Sequence, residues 1–227
     1  MTPPGATTGA SDRTRRAERA TVVGVYVGRP AVIGADRRGA PVTSAIAKGP
    51  VAGTTIAVGE LNLAGDAQAD LSVHGGPDKA VYAYPAGHYA AWRAAGFDLA
   101  PGGVGENLAL DGVTEDDVRI GDVWRWGDAV LQVSQPRSPC FKLAIHVGRR
   151  GAGAEMVRSG HCGWYLRVLT PGDAPTAGDL VREASDPDQP TVAEAFAAAI
   201  GRAGPAVVAR VAASPALAPQ WRAGVVR

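Results

Sequence analysis

The sequence has little of several features that would reveal a function at once. It contains two cysteines in 227 residues, too few for a disulfide framework. Its 23 lysines and arginines are balanced by 22 aspartates and glutamates, whereas proteins that bind duplex nucleic acid usually carry a marked basic excess. No apolar run approaches the ~20 residues that cross a membrane as a helix. These absences disfavour nucleic acid and membrane as partners.

The first 20 residues also lack the apolar core of a secretory signal. We therefore expect a cytoplasmic protein in a reducing compartment. Nothing in the sequence requires a bridge between Cys140 and Cys162, so both thiols are expected to be free.

Glycine and proline are abundant, with 30 and 17 residues, which favours short strands separated by turns over a helical bundle. One helix is expected over residues 85–95, with Pro85 in its first turn and Tyr89, Trp92 and Ala95 on one face. Gly121 and Asp122 indicate a two-residue hairpin. Strands are predicted at residues 21–27, 31–33, 44–47, 54–58, 108–110, 118–120, 123–126, 129–134 and 163–169. This pattern predicts a barrel-like β domain in which the tryptophans at 124, 126 and 164 are structural.

The composition divides the chain into three parts. Residues 1–20 are predicted to be a flexible tail, residues 21–183 a β-barrel domain, and residues 184–227 a helical extension. Thr191 and Glu194 form a capping box that begins the extension. Three short helices are expected there, at 192–200, 206–213 and 219–226, and they should pack on the barrel or on a second subunit, so a homodimer stays open.

Cys140 is the first candidate for chemistry. It lies in a loop framed by Pro136 and Pro139, directly after the predicted strand 129–134. Arg137 and Lys142 place positive charge nearby, which favours the thiolate needed for nucleophilic attack or for binding a soft metal. The alternative is a buried structural cysteine. His146 is a candidate base for this thiol, although its spacing says nothing about distance in space.

Two glycine-bearing segments are weaker candidates. Residues 74–79 run from His74 to Lys79 through two glycines, and they form either an anion-binding loop or a solvated turn. Residues 102–108 lack the spacing of a dinucleotide fingerprint, but Glu106 and Asn107 are candidates for lining a polar pocket. A zinc site is disfavoured, because no pair of cysteines or histidines has the required spacing.

Taken together, the segments from about Val22 to Val181 resemble the MOSC-domain family, named for the C-terminal part of molybdenum-cofactor sulfurases. The resemblance is to its bacterial stand-alone branch, in which a three-helix extension often follows the domain. It rests on the order and spacing of residues 70–85, 105–108, 120–122, 133–142, 160–165 and 178–179.

The resemblance implies a mainly β (α+β) fold, a distorted β-barrel with a few helices, whose cleft holds molybdenum cofactor (Mo-molybdopterin). It makes Cys140 the protein ligand to molybdenum. The remaining site residues that it suggests are cofactor contacts at Lys48, Lys79, Asn107, Arg137 and Ser138, with His74 and Glu106 lining or supporting the pocket as catalytic candidates. The family is also associated with pyridoxal phosphate binding.

The implied activity is reduction of N-hydroxylated compounds, such as hydroxylaminopurines and hydroxylamines, to amines. A separate reductase would supply the electrons. One alternative is a sulfur carrier that holds a persulfide on Cys140 without molybdenum. Others are a MOSC fold recruited to a different biosynthetic step and a binding module that does no chemistry.

Overall fold

The structure, a computed structural model, describes residues 18–68 and 75–225. These residues form twelve strands, six α-helices and one short 3₁₀ helix at Pro77–Lys79. The strands are β1 (Arg19–Val27), β2 (Ala31–Ala35), β3 (Pro41–Ser44), β4 (Gly49–Pro50), β5 (Thr55–Val58), β6 (Val81–Pro85), β7 (Leu108–Asp111), β8 (Val123–Trp126), β9 (Ala129–Pro136), β10 (Trp164–Thr170), β11 (Gly172–Pro175) and β12 (Gly178–Ala184). The helices are α1 (His88–Ala94), α2 (Phe141–His146), α3 (Ala152–Ser159), α4 (Val192–Ala199), α5 (Pro205–Ala213) and α6 (Pro219–Val225).

Seven strands close into a barrel in the order β12–β8–β9–β10–β6–β7–β1, and β1 pairs back to β12. Every neighbouring pair is antiparallel except β6 and β7, which run parallel. A parallel pair needs a crossover connection, and α1 supplies it here. Closure leaves these seven strands without an open edge, which confirms the predicted barrel.

The remaining strands lie outside the closed barrel. β4 adds to β1, while β2 pairs with β3 and β5 pairs with β11 in two small sheets. β3 ends at Ser44, where the sequence predicted a strand to begin. β1 begins at Arg19, so the last two residues of the predicted tail belong to the barrel. Residues 1–17 lie outside the described part of the chain.

The strand β6 was missed by the sequence analysis. All five of its residues are buried, so it lacks the apolar–polar alternation that identifies a half-exposed strand. Pro85 ends this strand instead of starting a helix, and α1 begins three residues later, at His88. Tyr89 and Trp92 are buried on the inner face of α1, as predicted.

The hairpin predicted at residues 121–122 lies elsewhere. Residues 118–120 form no strand, because the Arg119 amide donates to the Asp122 carboxylate at 2.9 Å and closes a local turn. The two-residue hairpin is at residues 127–128, between β8 and β9.

The predicted structural tryptophans are buried in the hydrophobic core. Trp124, Trp126 and Trp164 are at most 1% exposed. The indole N–H of Trp126 donates to the Pro175 carbonyl at 2.9 Å. Large buried aromatic side chains dominate the energetics of such a core, so these three residues hold β8 and β10 in place.

The C-terminal helices pack on the barrel. Thr191 and Glu194 form the predicted capping box. The Ala218 amide before α6 donates to the Ser134 carbonyl of β9 at 2.9 Å, and Phe196 and Trp221 are buried at the contact. Among the helices of the described residues, none has the length and apolar character to span a membrane.

Candidate functional site

A polar pocket in the barrel wall brings together five of the residues predicted from the sequence. The enclosed part measures about 100 Å³. Its walls come from the loops after β3 and β5, from β6 and β10, and from the segment that joins β9 to α2. The predicted residues on these walls are Lys48, Lys79, Asn107, Arg137 and Cys140.

Cys140 lies at the end of the loop between β9 and α2. It is a free, half-buried thiol, and its carbonyl accepts from the Leu143 amide at 3.1 Å as α2 begins. The neighbouring Arg137 is close enough for its charge to interact with the thiol. A thiol that is accessible and near a cation fits a reactive or metal-binding role better than a structural one.

Arg137 is the most unusual charge in the pocket. Its side chain is buried, with the residue 5% exposed, and the guanidinium lies 5.1 Å from the centre of the Tyr82 ring. One of its N–H groups reaches the sulfur of Met156 at 3.3 Å. In the described part of the chain, no carboxylate lies within 4.0 Å of it. A guanidinium keeps its proton, so this buried charge favours an anionic ligand.

Lys48 and Asp66 form a buried ion pair on the opposite wall. The Asp66 carboxylate accepts from the Lys48 ammonium and, at 2.8 Å, from the Gly28 amide. Burial lowers the pKa of Lys48, and the charge of Asp66 opposes that shift. The sequence analysis missed Asp66, because a lone acidic residue in a glycine-bearing loop carries no distinctive signal.

Asn107 fixes the shape of this wall. Its side-chain oxygen accepts from the Tyr82 amide at 3.0 Å. Its NH₂ group donates to the Tyr26 carbonyl at 3.1 Å and to Asp66 at 2.9 Å. Both N–H groups are thus used within the protein, so Asn107 joins β1, β6 and the Asp66 loop and supports the pocket.

Positive charge exceeds negative charge on the pocket walls. Lys79 donates to the Gln220 side chain of α6 at 3.1 Å, and burial lowers its pKa. Lys142, in the first turn of α2, also lines the pocket. Among the described residues, the cationic side chains that line the pocket are Lys48, Lys79, Arg137 and Lys142, and the only carboxylate is that of Asp66.

Two other predicted residues, Glu106 and Ser138, do not line the pocket. Glu106 lies behind its wall, where its carboxyl accepts from the Tyr89 hydroxyl at 2.5 Å and from the Gly102 amide at 2.6 Å. Burial raises the pKa of Glu106. Ser138 is exposed, because the proline-framed loop turns it outward. His74 lies outside the described residues.

The second cysteine and the candidate base are also separate from the pocket. Cys162 is fully buried, and burial raises the pKa of its thiol, so it lacks the reactivity expected of a redox thiol. His146 ends α2 and is absent from the pocket walls, so the described geometry does not place it as a base for Cys140.

Comparisons with known proteins identify the family of this fold. The profile of the MOSC domain matches residues 70–182. The chain is also 45% identical over 186 residues to protein YiiM of Escherichia coli strain K12, covering 78% of each chain. The chain therefore belongs to the MOSC-domain family.

Two further relatives extend this comparison. The crystal structure of YiiM from Geobacillus stearothermophilus superposes with a TM-score of 0.74 at 32% identity, covering 91% of this chain and 97% of that one. A protein of Gibberella moniliformis named reductase is 40% identical over 146 residues, which is 60% of this chain and 25% of the fungal protein.

MOSC domains are associated with molybdenum cofactor, and the chemistry of the pocket fits that group. A thiolate is a suitable ligand for a soft metal. Within residues 18–68 and 75–225, no three His, Cys, Asp or Glu side chains are grouped to hold a metal ion. A cofactor that brings further metal ligands of its own, as the pterin cofactor of molybdenum does, is compatible with this donor set. The phosphate of that cofactor matches the excess of cationic side chains.

Proposed function

We propose that this protein is an oxidoreductase that binds molybdenum cofactor through Cys140 and reduces N-hydroxylated compounds to amines. Membership of the MOSC family and the reductase name of the fungal relative support this proposal. The observation that carries it is the buried guanidinium of Arg137, which has no carboxylate partner among the described residues, close to the half-buried thiol of Cys140.

Different residues of the pocket would hold different parts of the cofactor. Cys140 would supply the thiolate ligand to the metal, and Arg137, Lys48, Lys79 and Lys142 would hold the anionic part of the cofactor. Asp66 orients the Lys48 ammonium through their ion pair. Bound molybdenum would supply the two-electron redox chemistry.

The reaction balances with an external reductant. An N-hydroxylated substrate, R–NH–OH, takes up two electrons and two protons. The N–O bond breaks, the nitrogen becomes the amine R–NH₂, and the oxygen leaves as water. A separate reductase protein would supply the electrons.

The decisive experiment compares two cysteine variants. Protein made in a host that synthesises molybdenum cofactor is analysed for molybdenum content and assayed for reduction of an N-hydroxylated purine. Cys140→Ala should lose both the metal and the activity. Cys162→Ala is the matched control, since it removes the other thiol without touching the pocket, and it should retain both.

Each alternative outcome has a clear meaning. Molybdenum retained in Cys140→Ala would exclude Cys140 as the metal ligand. If the parent protein contains no molybdenum and the Cys140 peptide is heavier by one sulfur atom, the protein is a sulfur carrier instead. If neither metal nor added sulfur is found, the fold serves another purpose and the proposal fails.

A further inference from the structure

The 3₁₀ helix at Pro77–Lys79 places two opposite charges next to each other at the edge of the polar pocket. Lys79 lines the pocket, and Asp78 precedes it in the chain. An acid beside a binding cation competes with an anionic ligand for that cation, because both attract the same charge. The interactions of Asp78 therefore decide how strongly Lys79 can attract a ligand.

Arg167 on β10 pairs with the Asp78 carboxylate. Its Nε donates to Oδ1 of Asp78 at 2.8 Å, and its Nη2 lies 2.7 Å from the same oxygen. The side chains of Arg167 and Asp78 are 20% and 31% exposed, so water screens this pair less than a fully exposed one. The charge of Asp78 is thus compensated from the barrel wall.

Further hydrogen bonds fix the guanidinium of Arg167 at this position. Nη1 donates to the Gln132 side chain on β9 at 2.8 Å. Nη2 donates at 2.9 Å to the carbonyl of Ala216, in the connection between α5 and α6. The planar guanidinium is therefore oriented by the barrel and by the C-terminal extension together.

The backbone of the 3₁₀ helix is held by other residues. The Ser134 hydroxyl donates to the Asp78 carbonyl at 2.6 Å, and the Gln68 side chain donates to the Lys79 carbonyl at 3.2 Å. These bonds do not involve Arg167. The contact of Arg167 is with the carboxylate of Asp78, so it acts on the charge of this segment more than on its shape.

The charge of Asp78 acts on Lys79. Burial lowers the pKa of Lys79, and the negative charge of Asp78 opposes this shift. The Lys79 ammonium also donates to Gln220 of α6 at 3.1 Å. An Asp78 carboxylate released from Arg167 would strengthen an attraction to Lys79 that already exists.

We propose that Arg167 is a positioning residue of the polar pocket, which binds the Asp78 carboxylate and thereby keeps the Lys79 ammonium able to bind the anionic part of a ligand. The inference rests on the proposed function, in which Lys79 helps to hold the anionic part of the cofactor. It adds a role for β10 and for the Ala216 carbonyl of the extension, which lies outside the residues matched by the family profile.

Calorimetry with inorganic phosphate on the full chain tests this proposal without turnover. Arg167→Gln should bind phosphate about 5-fold more weakly than the parent, because Asp78 then competes for Lys79. Arg167→Gln combined with Asp78→Asn should return to within about 2-fold of the parent, because the competing charge is gone. Arg125→Gln is the matched control: this exposed arginine pairs with Glu183 on β12, and its loss should leave phosphate binding unchanged.

The rescue by Asp78→Asn distinguishes a charge effect from a purely structural one. The double variant regains none of the hydrogen bonds from Arg167 to Gln132 and Ala216, so a structural role would leave phosphate binding weak. Arg167→Lys provides a second test that does not depend on the folding of Arg167→Gln. It keeps the positive charge but loses the planar guanidinium, and it should bind phosphate within about 2-fold of the parent.

Four outcomes would overturn the proposal. A double variant as weak as Arg167→Gln would show that Arg167 fixes the loop instead of compensating Asp78. Phosphate affinity in Arg167→Gln equal to that of the parent would show that Asp78 does not compete for Lys79. Arg167→Lys as weak as Arg167→Gln would contradict a role for the charge alone. A parent that binds phosphate no better than Lys79→Met would remove Lys79 from anion binding.

The result is distinguishable from that of the proposed function. Phosphate binding needs no molybdenum, so protein without the metal can still show the expected pattern of affinities. Conversely, loss of molybdenum and activity in Cys140→Ala, together with unchanged phosphate affinity in Arg167→Gln, would support the proposed function and contradict this inference.

Discussion

Glu106 and Asn107 are adjacent in the chain, yet their side chains enter two polar clusters of opposite character. Asn107 joins the pocket side, where the Asp66 carboxylate is paired with the Lys48 ammonium. Glu106 joins a sealed cluster behind the wall, where its carboxyl meets the Tyr89 hydroxyl and the Gly102 amide.

The difference shows two ways of burying a carboxyl group. On the pocket side, the Lys48 ammonium compensates the negative charge of Asp66, and both side chains line the pocket. In the sealed cluster the carboxyl has no cationic partner in the described residues, and burial raises its pKa toward the neutral form. A single substitution therefore leaves a buried charge on the pocket side and only uncharged polar groups in the sealed cluster.

The largest loss of stability should come from removing one partner of the Lys48–Asp66 ion pair on the pocket side. Asp66→Ala leaves the Lys48 ammonium buried without its partner, which should cost about 3–5 kcal/mol in the free energy of unfolding. Urea unfolding at pH 7 measures this. The double variant Asp66→Ala with Lys48→Met should recover much of the loss, because no charge is then left buried. A single variant as stable as the parent would show that the pair does not hold the wall.

A smaller effect is expected in the sealed cluster. Glu106→Ala leaves the Tyr89 hydroxyl and the Gly102 amide without their acceptor, which should cost about 1–3 kcal/mol. Glu106→Gln keeps an acceptor in place and serves as the matched control. Molybdenum content should be unchanged in the glutamine variant. A loss of molybdenum in that variant would show that Glu106 is required for cofactor binding.

The same residue gives a prediction for pH dependence. Burial raises the pKa of Glu106 above its value in the unfolded chain, which is about 4.3. The contribution of Glu106 to the free energy of unfolding is therefore fully present below this pH, and it is lost as the pH rises through the pKa of the folded state. The free energy of unfolding of Glu106→Gln should therefore increase relative to the parent between pH 4.5 and pH 8. A difference that stays constant with pH would show that Glu106 titrates normally.

The smallest effect is expected in a histidine cluster near the sealed side. His161 stacks on His88 with ring centres 3.7 Å apart, and His88 bonds to Glu115 at 2.7 Å. Burial, and then the charge of His88, lower the pKa of His161. Its contribution to stability is thus present above about pH 6.5 and is lost as pH falls through the folded pKa.

His161→Gln should therefore flatten the decrease in stability between pH 7.5 and pH 5.5. Urea midpoints at these two pH values measure the change. His146→Gln is a useful comparison, since burial also lowers the pKa of His146 but at the end of α2. Parallel pH profiles for His161→Gln and the parent would contradict the prediction.

The sequence was sufficient to predict the fold because most of its strands carry local signals. β1, β9 and β10 are rich in β-branched and aromatic residues, and turns follow them. The capping box at Thr191 and Glu194 is equally local. β6 was missed because a strand buried on both faces has no alternation to detect.

The site was only partly predictable, because some of its residues have no local signal in the sequence. Cys140 and Arg137 stand in a proline-framed loop that marks them in the sequence. Asp66 becomes part of the site only when the chain folds back on Lys48 and Asn107, 18 and 41 residues away.

The closure of the barrel has a consequence for how the protein is made. The pairing of β1 with β12 joins Arg19 to Val181, and the ion pair of Arg19 with Asp179 spans 160 residues. Such distant pairings slow folding, because the entropy of a long loop is lost before the contacts form. During synthesis, β1 and β8 keep open edges until residues 178–184 emerge, and open edges invite aggregation. A chain that stops short of β12 should therefore accumulate as insoluble protein.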